Sequence, residues 1–160
     1  MSGCVARIDF LGTGNAFCPS GRMHALAILD GKILIDAPPT LLAQLRRSNI
    51  STGQVEHILF THWHGDHTFG FPFLILDRKY ITDAPSDKTL AVHHRPGGKE
   101  YLTSLSKLGF PGSLEDFLES RIYWNEEESG ILEGSEWAYD RFPVRHTPET
   151  DPHGYELVHQ

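Results

Sequence analysis

Hydrophobic residues in the first half of the chain come in short blocks split by glycine-rich turns. Residues 7–11, 24–29 and 32–36 each read as a strand, and Asp30-Gly31 between the last two is a strong two-residue hairpin signal. Thr40 stands where an N-cap belongs, ahead of a short helix to about Arg47 that puts Leu41, Leu42 and Leu45 on one face. Residues 55–60 read as a buried strand. Phe69 to Lys79 is strongly apolar and predicts a helix, with Pro72 tolerable in its first turn. After a polar connection at 81–88, Leu90 to His93 reads as a strand. Gly97-Gly98 breaks it, and Tyr101, Leu102, Leu105 and Leu108 recur at helical spacing. Ser113 to Asp116 has the form of a capping box opening another short helix. Residues 122–124 and 137–144 predict strands separated by an acidic turn at Glu126, Glu127 and Glu128, and residues 154–159 a last strand. This alternation predicts an α/β fold. With no repeat, low-complexity tract or linker, 160 residues are most simply one domain.

Composition changes this picture little. Hydrophobic content of 39% and charged content of 22% suit a soluble globular chain. No apolar run approaches the ~20 residues that span a bilayer, so no membrane partner is expected. Arg7 and Asp9 interrupt any apolar stretch a secretory leader would need. Two cysteines, Cys4 and Cys18, do not make a disulfide framework, and a reducing cytoplasm suits them. A formal net charge of −7 disfavours a general nucleic-acid binder, because phosphate contacts need lysine and arginine; RNA stays open as a substrate.

Chemistry concentrates at residues 61–67, Thr-His-Trp-His-Gly-Asp-His. Three imidazoles and a carboxylate fall within six residues, the donor set of zinc and similar divalent ions. The buried strand before them puts the cluster on the loop leaving that strand, where open α/β sheets tend to form sites. His62 and His64 can turn to one ion while Asp66 and His67 face a second. Trp63, between two of these residues, is expected to pack and fix the loop. The other histidines carry less: His24 and His57 read as strand residues near a surface, and His93 and His94 as a solvated or hydrogen-bonded pair. His153 and His159 have no assignable place. Phe69, Phe71 and Phe73 read as core.

The pattern His-x-His-x-Asp-His after an apolar strand resembles the signature of the metallo-β-lactamase superfamily of metallohydrolases. Residues 7–17, with Gly12-Thr13-Gly14-Asn15-Ala16-Phe17, resemble the opening strand and glycine loop of its ribonuclease Z-like branch. Residues 32–36 resemble the strand whose terminal aspartate, here Asp36, supports the metal loop. Residues 142–147, with Gly154-Tyr155 downstream, resemble the third motif, in which His146 completes the first metal site. The resemblance implies an αβ/βα sandwich with the site at one edge between the sheets. It implies His62, His64 and His146 on a first Zn2+, and Asp66 and His67 on a second, with Mn2+ or Fe2+ as alternatives. Asp66 would also orient the attacking water or take its proton, and Asp36 would hydrogen-bond the loop or a ligand imidazole. The plain alternative for Asp36 is a strand-ending aspartate that starts a turn. Two such ions make a nucleophile of water at neutral pH and polarise the scissile group.

The implied activity is hydrolysis of a phosphodiester, either an RNA end or a small diester. Cys18-Pro19-Ser20-Gly21-Arg22-Met23 lacks the lysine and asparagine that tRNA-processing members carry after the glycine loop, and no basic, glycine-rich arm is present. Thioester hydrolysis similar to glyoxalase II, and a metal-binding fragment without turnover, are the other readings. The family pattern continues with an aspartate between the ions and a last histidine, neither of which has a match here. The expectation is therefore the N-terminal two-thirds of the usual domain, incomplete at the C-terminus, with a largely missing second sheet. A homodimer is a second way to close such a core.

Overall fold

The computed structural model describes residues 5–160; Cys4, and with it any question of pairing with Cys18, lies outside the described residues. Two sheets form. The larger has six strands in chain order: β1 (Ile8–Gly12), β2 (Leu26–Leu29), β3 (Ile33–Ile35), β4 (His57–Leu59), β5 (Leu90–His93) and β6 (Ile122–Asn125). β1, β2 and β3 are antiparallel, the last two joined at Asp30-Gly31, where both residues take positive φ as the turn requires. From β3 to β6 the pairing is parallel. Parallel neighbours need crossovers, and these are helical: α1 (Leu41–Arg47) before β4, α2 (Gly65–Thr68) and α3 (Phe71–Asp77) before β5, and α4 (Gly98–Gly109) and α5 (Glu115–Ser120) before β6. The smaller, antiparallel sheet is β7 (Ser129–Ile131), β8 (Trp137–Pro143) and β9 (His153–His159).

Strand alternation sorts side chains between two cores. Leu34, Ile58 and Val92 point to the helices, where they pack with Leu41, Leu45, Phe71, Leu74 and Leu102. Ile33 and Leu59 point the other way, onto Trp137 and Tyr139 of the smaller sheet and onto Leu132, just after β7. Helices, six-stranded sheet and three-stranded sheet are thus successive layers, and among the described residues no helix covers the outer face of the smaller sheet. Ile8 and Phe10 on β1 stay exposed, Phe10 to 69%. No described helix is long and apolar enough to cross a membrane.

Several local expectations change. β7 lies in what reads as an acidic turn: Ser129, Gly130 and Ile131 are all exposed and held by pairing to β8, so no apolar alternation marks them. Thr40 precedes α1 without capping it; its hydroxyl donates to the Gln44 side chain and contacts His24 Nδ1. Leu114, not Ser113, precedes α5, and the Glu115 carboxylate accepts from the Gly112 and Leu114 amides. The apolar run ends as a helix at Asp77 and continues as a π-helical turn through Thr82, around buried Arg78 bound to Asp83. Of its three phenylalanines only Phe71 is core; Phe69 and Phe73 are 51% and 46% exposed.

Candidate metal centre

The parallel register brings the C-terminal ends of β3 and β4 side by side, and the chain leaves both toward the same edge. Asp36 follows β3 with a left-handed backbone, φ 64°, a conformation aspartate tolerates better than most residues. The carboxylate turns onto the loop after β4. It accepts from the Thr61 amide at 2.8 Å, the Thr61 hydroxyl at 2.7 Å and His67 Nδ1 at 2.7 Å. Asp36 thus both turns the chain after β3 and, through its carboxylate, hydrogen-bonds the loop after β4.

The next backbone contacts tie the loop down. Ala37 N–H donates to the His67 carbonyl and Gly70 N–H to the Ala37 carbonyl. A Cβ on Gly70 would lie 2.0 Å from the Pro38 carbonyl oxygen, so only glycine lets α3 start this close. His64 precedes the single turn of α2, whose Thr68 hydroxyl donates back to the His64 carbonyl. Trp63 packs on Phe60 and Tyr101, as expected of a residue that fixes the loop. From the other sheet, the connection between β8 and β9 brings His146 over the loop. Its C-terminal end is fastened to the loop twice: Trp63 N–H donates to the Thr150 carbonyl and His153 N–H to the Thr61 carbonyl.

Two donor groups result. His62, His64 and His146 each offer a ligand atom within 4.8 Å of the others, and so do Asp36, His62 and His67. In the first group His64 Nδ1 and His146 Nε2 face each other at 3.1 Å. Two nitrogens about 2.0–2.1 Å from one tetrahedral ion lie about 3.3 Å apart, so this spacing fits a shared ion. Burial, reinforced by the neighbouring imidazoles, pushes the His62 pKa down to about 4, keeping that ring neutral, as a ligand must be. In the second group Asp36 already accepts three hydrogen bonds. His67 uses Nδ1 on Asp36 and turns Nε2 toward Asp66, 3.4 Å away. Burial opposes a charge on His67, but the Asp36 carboxylate outweighs it and raises the pKa. His62, His64, His67 and His146 fall within these two groups, while Asp66 lies outside both and is brought in only by its approach to His67 Nε2.

The groups floor a cleft of about 750 Å³. Thr13 to Phe17 form one wall; Val144, Arg145, His146, Pro152 and His153 form the other. A Cβ on Gly14 would lie 2.7 Å from the Arg22 and Met23 carbonyl oxygens, so the wall depends on glycine there. Phe17, at the rim, is 89% exposed. Among the lining residues without an individual role in the sequence reading are Phe17 and His153, whose ring is buried beside Asp151 and Tyr155. A larger cavity of about 870 Å³ lies elsewhere, but its Arg7, Asp9, Asp30 and Trp137 are already paired among themselves, and among the described residues no donor cluster faces it.

A family model described as Anti-Pycsar protein Apyc1 matches residues 6–156. The chain belongs to this family. It is similar to the ribonuclease Z of Oenococcus oeni (strain ATCC BAA-331 / PSU-1), with 29% identity over a 163-residue alignment covering 94% of this chain and 48% of that protein. Among solved structures it resembles human tRNase Z, short form, with a TM-score of 0.71 at 22% identity, covering 97% of this chain and 65% of that one. It also resembles the metallo-β-lactamase fold protein YhfI from Bacillus subtilis, with a TM-score of 0.74 at 10% identity, covering 97% and 59%. This Anti-Pycsar Apyc1 family member accordingly has the metallo-β-lactamase fold and sits in the ribonuclease Z-like branch. The chain spans about half the length of the curated relatives it matches.

Proposed function

We propose that this chain carries the catalytic metal centre of a hydrolase that cuts small phosphodiesters, as the N-terminal two-thirds of one metallo-β-lactamase-like domain working in the cytoplasm. The supporting observation is the convergence of His62, His64 and His146 at the foot of a cleft whose wall is the glycine loop. That loop favours the ribonuclease Z-like reading over thioester hydrolysis. His62, His64 and His146 would hold the first divalent ion, and Asp66 and His67 the second, with zinc as the proposed metal and manganese or iron suited to the same donors. When bound, such a pair lowers the pKa of a water and draws charge from the phosphoryl oxygens. Asp66 takes the proton from the attacking water, and Asp36 holds His67 in the tautomer that leaves Nε2 outward. An ion at Asp66 and His67 needs at least one further donor, which a homodimer or a longer chain would supply.

Charge separates a small diester from RNA. Arg145 is the only lysine or arginine among the cleft-lining residues, whereas gripping an RNA backbone takes several cations. The test is elemental analysis of protein purified without added metal, followed by hydrolysis assays on a chromogenic diester, a cyclic nucleotide, a 3′-extended tRNA and a thioester. Zinc with turnover of the small diesters is expected. Preferential cleavage of tRNA would move the substrate to RNA, and thioester turnover alone would sink the reading. Zinc without turnover of any substrate would mark a binding fragment.

A further inference from the structure

The Asp36 carboxylate reaches His62 as well as His67, and the connection runs through one hydroxyl. Thr61 Oγ1 is 2.7 Å from Asp36 Oδ2 and 3.0 Å from His62 Nδ1. A carboxylate can only accept, so the single hydroxyl proton of Thr61 goes to Asp36. The oxygen then has only lone pairs left for the imidazole, and His62 Nδ1 must be the donor. That places the ring proton of His62 on Nδ1 and leaves Nε2 as its only lone pair, free for the ion shared with His64 and His146. We propose that Thr61 is a positioning residue that fixes the tautomer of His62, so that one carboxylate sets the ligand geometry of both ions: His67 directly, His62 through the Thr61 hydroxyl.

Sequence position makes the device economical. Thr61 is adjacent to His62, and its backbone N–H donates to Asp36 independently of the hydroxyl. Removing the hydroxyl alone therefore leaves the loop anchored and the His67 arm intact. The inference rests on the proposed first metal site, but the proton position on His62 is a property of the metal-free protein and can be read without turnover.

The test uses Thr61→Val, which keeps the branched shape, and Thr61→Ser, which keeps the hydroxyl. In the metal-free wild type, nitrogen-detected NMR of the His62 ring is expected to show a single tautomer with Nδ1 protonated. In Thr61→Val the ring should become a tautomer mixture while His67 stays fixed. Zinc affinity, read by competition with a chromogenic chelator, should fall about 10- to 100-fold in Thr61→Val and stay within about threefold of wild type in Thr61→Ser. An unfixed His62 in the wild type, unchanged zinc affinity in Thr61→Val, or an equal loss in Thr61→Ser would each overturn the proposal. A wild type that binds no zinc yet holds His62 in the Nδ1-protonated form would overturn the proposed metal site and leave the relay standing.

Discussion

Two histidine clusters occupy this molecule, and they differ in where their ring nitrogens are spent. Around the cleft, His64 and His146 turn nitrogens toward each other, and a shared proton can serve only one of the two. Between the sheets, His57 and His93 form a closed chain. His57 Nε2 donates to the Glu133 carbonyl at 2.8 Å, His93 Nε2 donates to His57 Nδ1 at 3.1 Å, and His93 Nδ1 accepts from the Asn125 amide at 3.0 Å. Every nitrogen there has a partner, and nothing is left for a ligand. Histidine content alone cannot separate the two; the count of unspent lone pairs can.

The sharpest way to break this contrast is to cut each cluster once. His146→Ala is expected to cost the protein about one zinc per chain and all measurable diester hydrolysis. Because the side chain is exposed, its effect on metal-free stability should stay within about 0.5 kcal/mol. His93→Ala should do the reverse, leaving zinc content unchanged. It opens a cavity and strands His57 and Asn125, so it should lower unfolding free energy by about 3 kcal/mol in urea titration. If His93→Ala lost zinc, or His146→Ala unfolded the chain, the two clusters would not be separable.

Acid sharpens the contrast next. Burial, together with the neighbouring imidazole of His57, pushes His93 down to about 3, and burial lowers His57 as well. The unfolded chain binds protons at these sites near pH 6.5 and the folded chain does not. Stability is therefore full above about 6.5 and is lost as pH falls toward 3. Between about pH 7 and pH 4 the His93 contribution should be on the order of 3 kcal/mol. In a metal-free urea series, His93→Gln should flatten that slope, and a slope unchanged by the substitution would contradict this account. The smallest effect is expected at the rim. Phe17→Ala should raise KM for an aromatic diester roughly fivefold without moving Tm, and an unchanged KM would remove Phe17 from substrate contact.

The candidate site was legible in the sequence to the extent that its proposed ligands are neighbours in the chain. His62, His64, Asp66 and His67 are read from spacing alone, and a strand end next to them sufficed to place the loop. His146 and Asp36 are distant in sequence and became readable only through resemblance, because nothing local distinguishes a loop histidine from a ligand. The strands and helices with apolar faces were readable for the same reason: burial imprints periodicity. Where burial does not act, the pattern fell silent. β7 is exposed on every residue and exists by backbone pairing, while Phe69, at the end of α2, and Phe73, on α3, look like core residues but are about half exposed. His57 and His93 have polar identities in buried strands, and their partners, Glu133 and Asn125, come from other elements.

The span between His64 and His146 bears on the order of events during folding. Their contact joins positions 82 residues apart, and the two bonds that fasten the β8–β9 connection reach further still in sequence, from Trp63 to Thr150 and from His153 to Thr61. Contacts of such separation close late, after local helices and hairpins have formed. The three imidazoles meet only once both sheets are in place, so an ion cannot gather them early. Metal added to the refolding chain would act as a latch: it would slow escape from the native state and leave the rate of reaching it nearly unchanged.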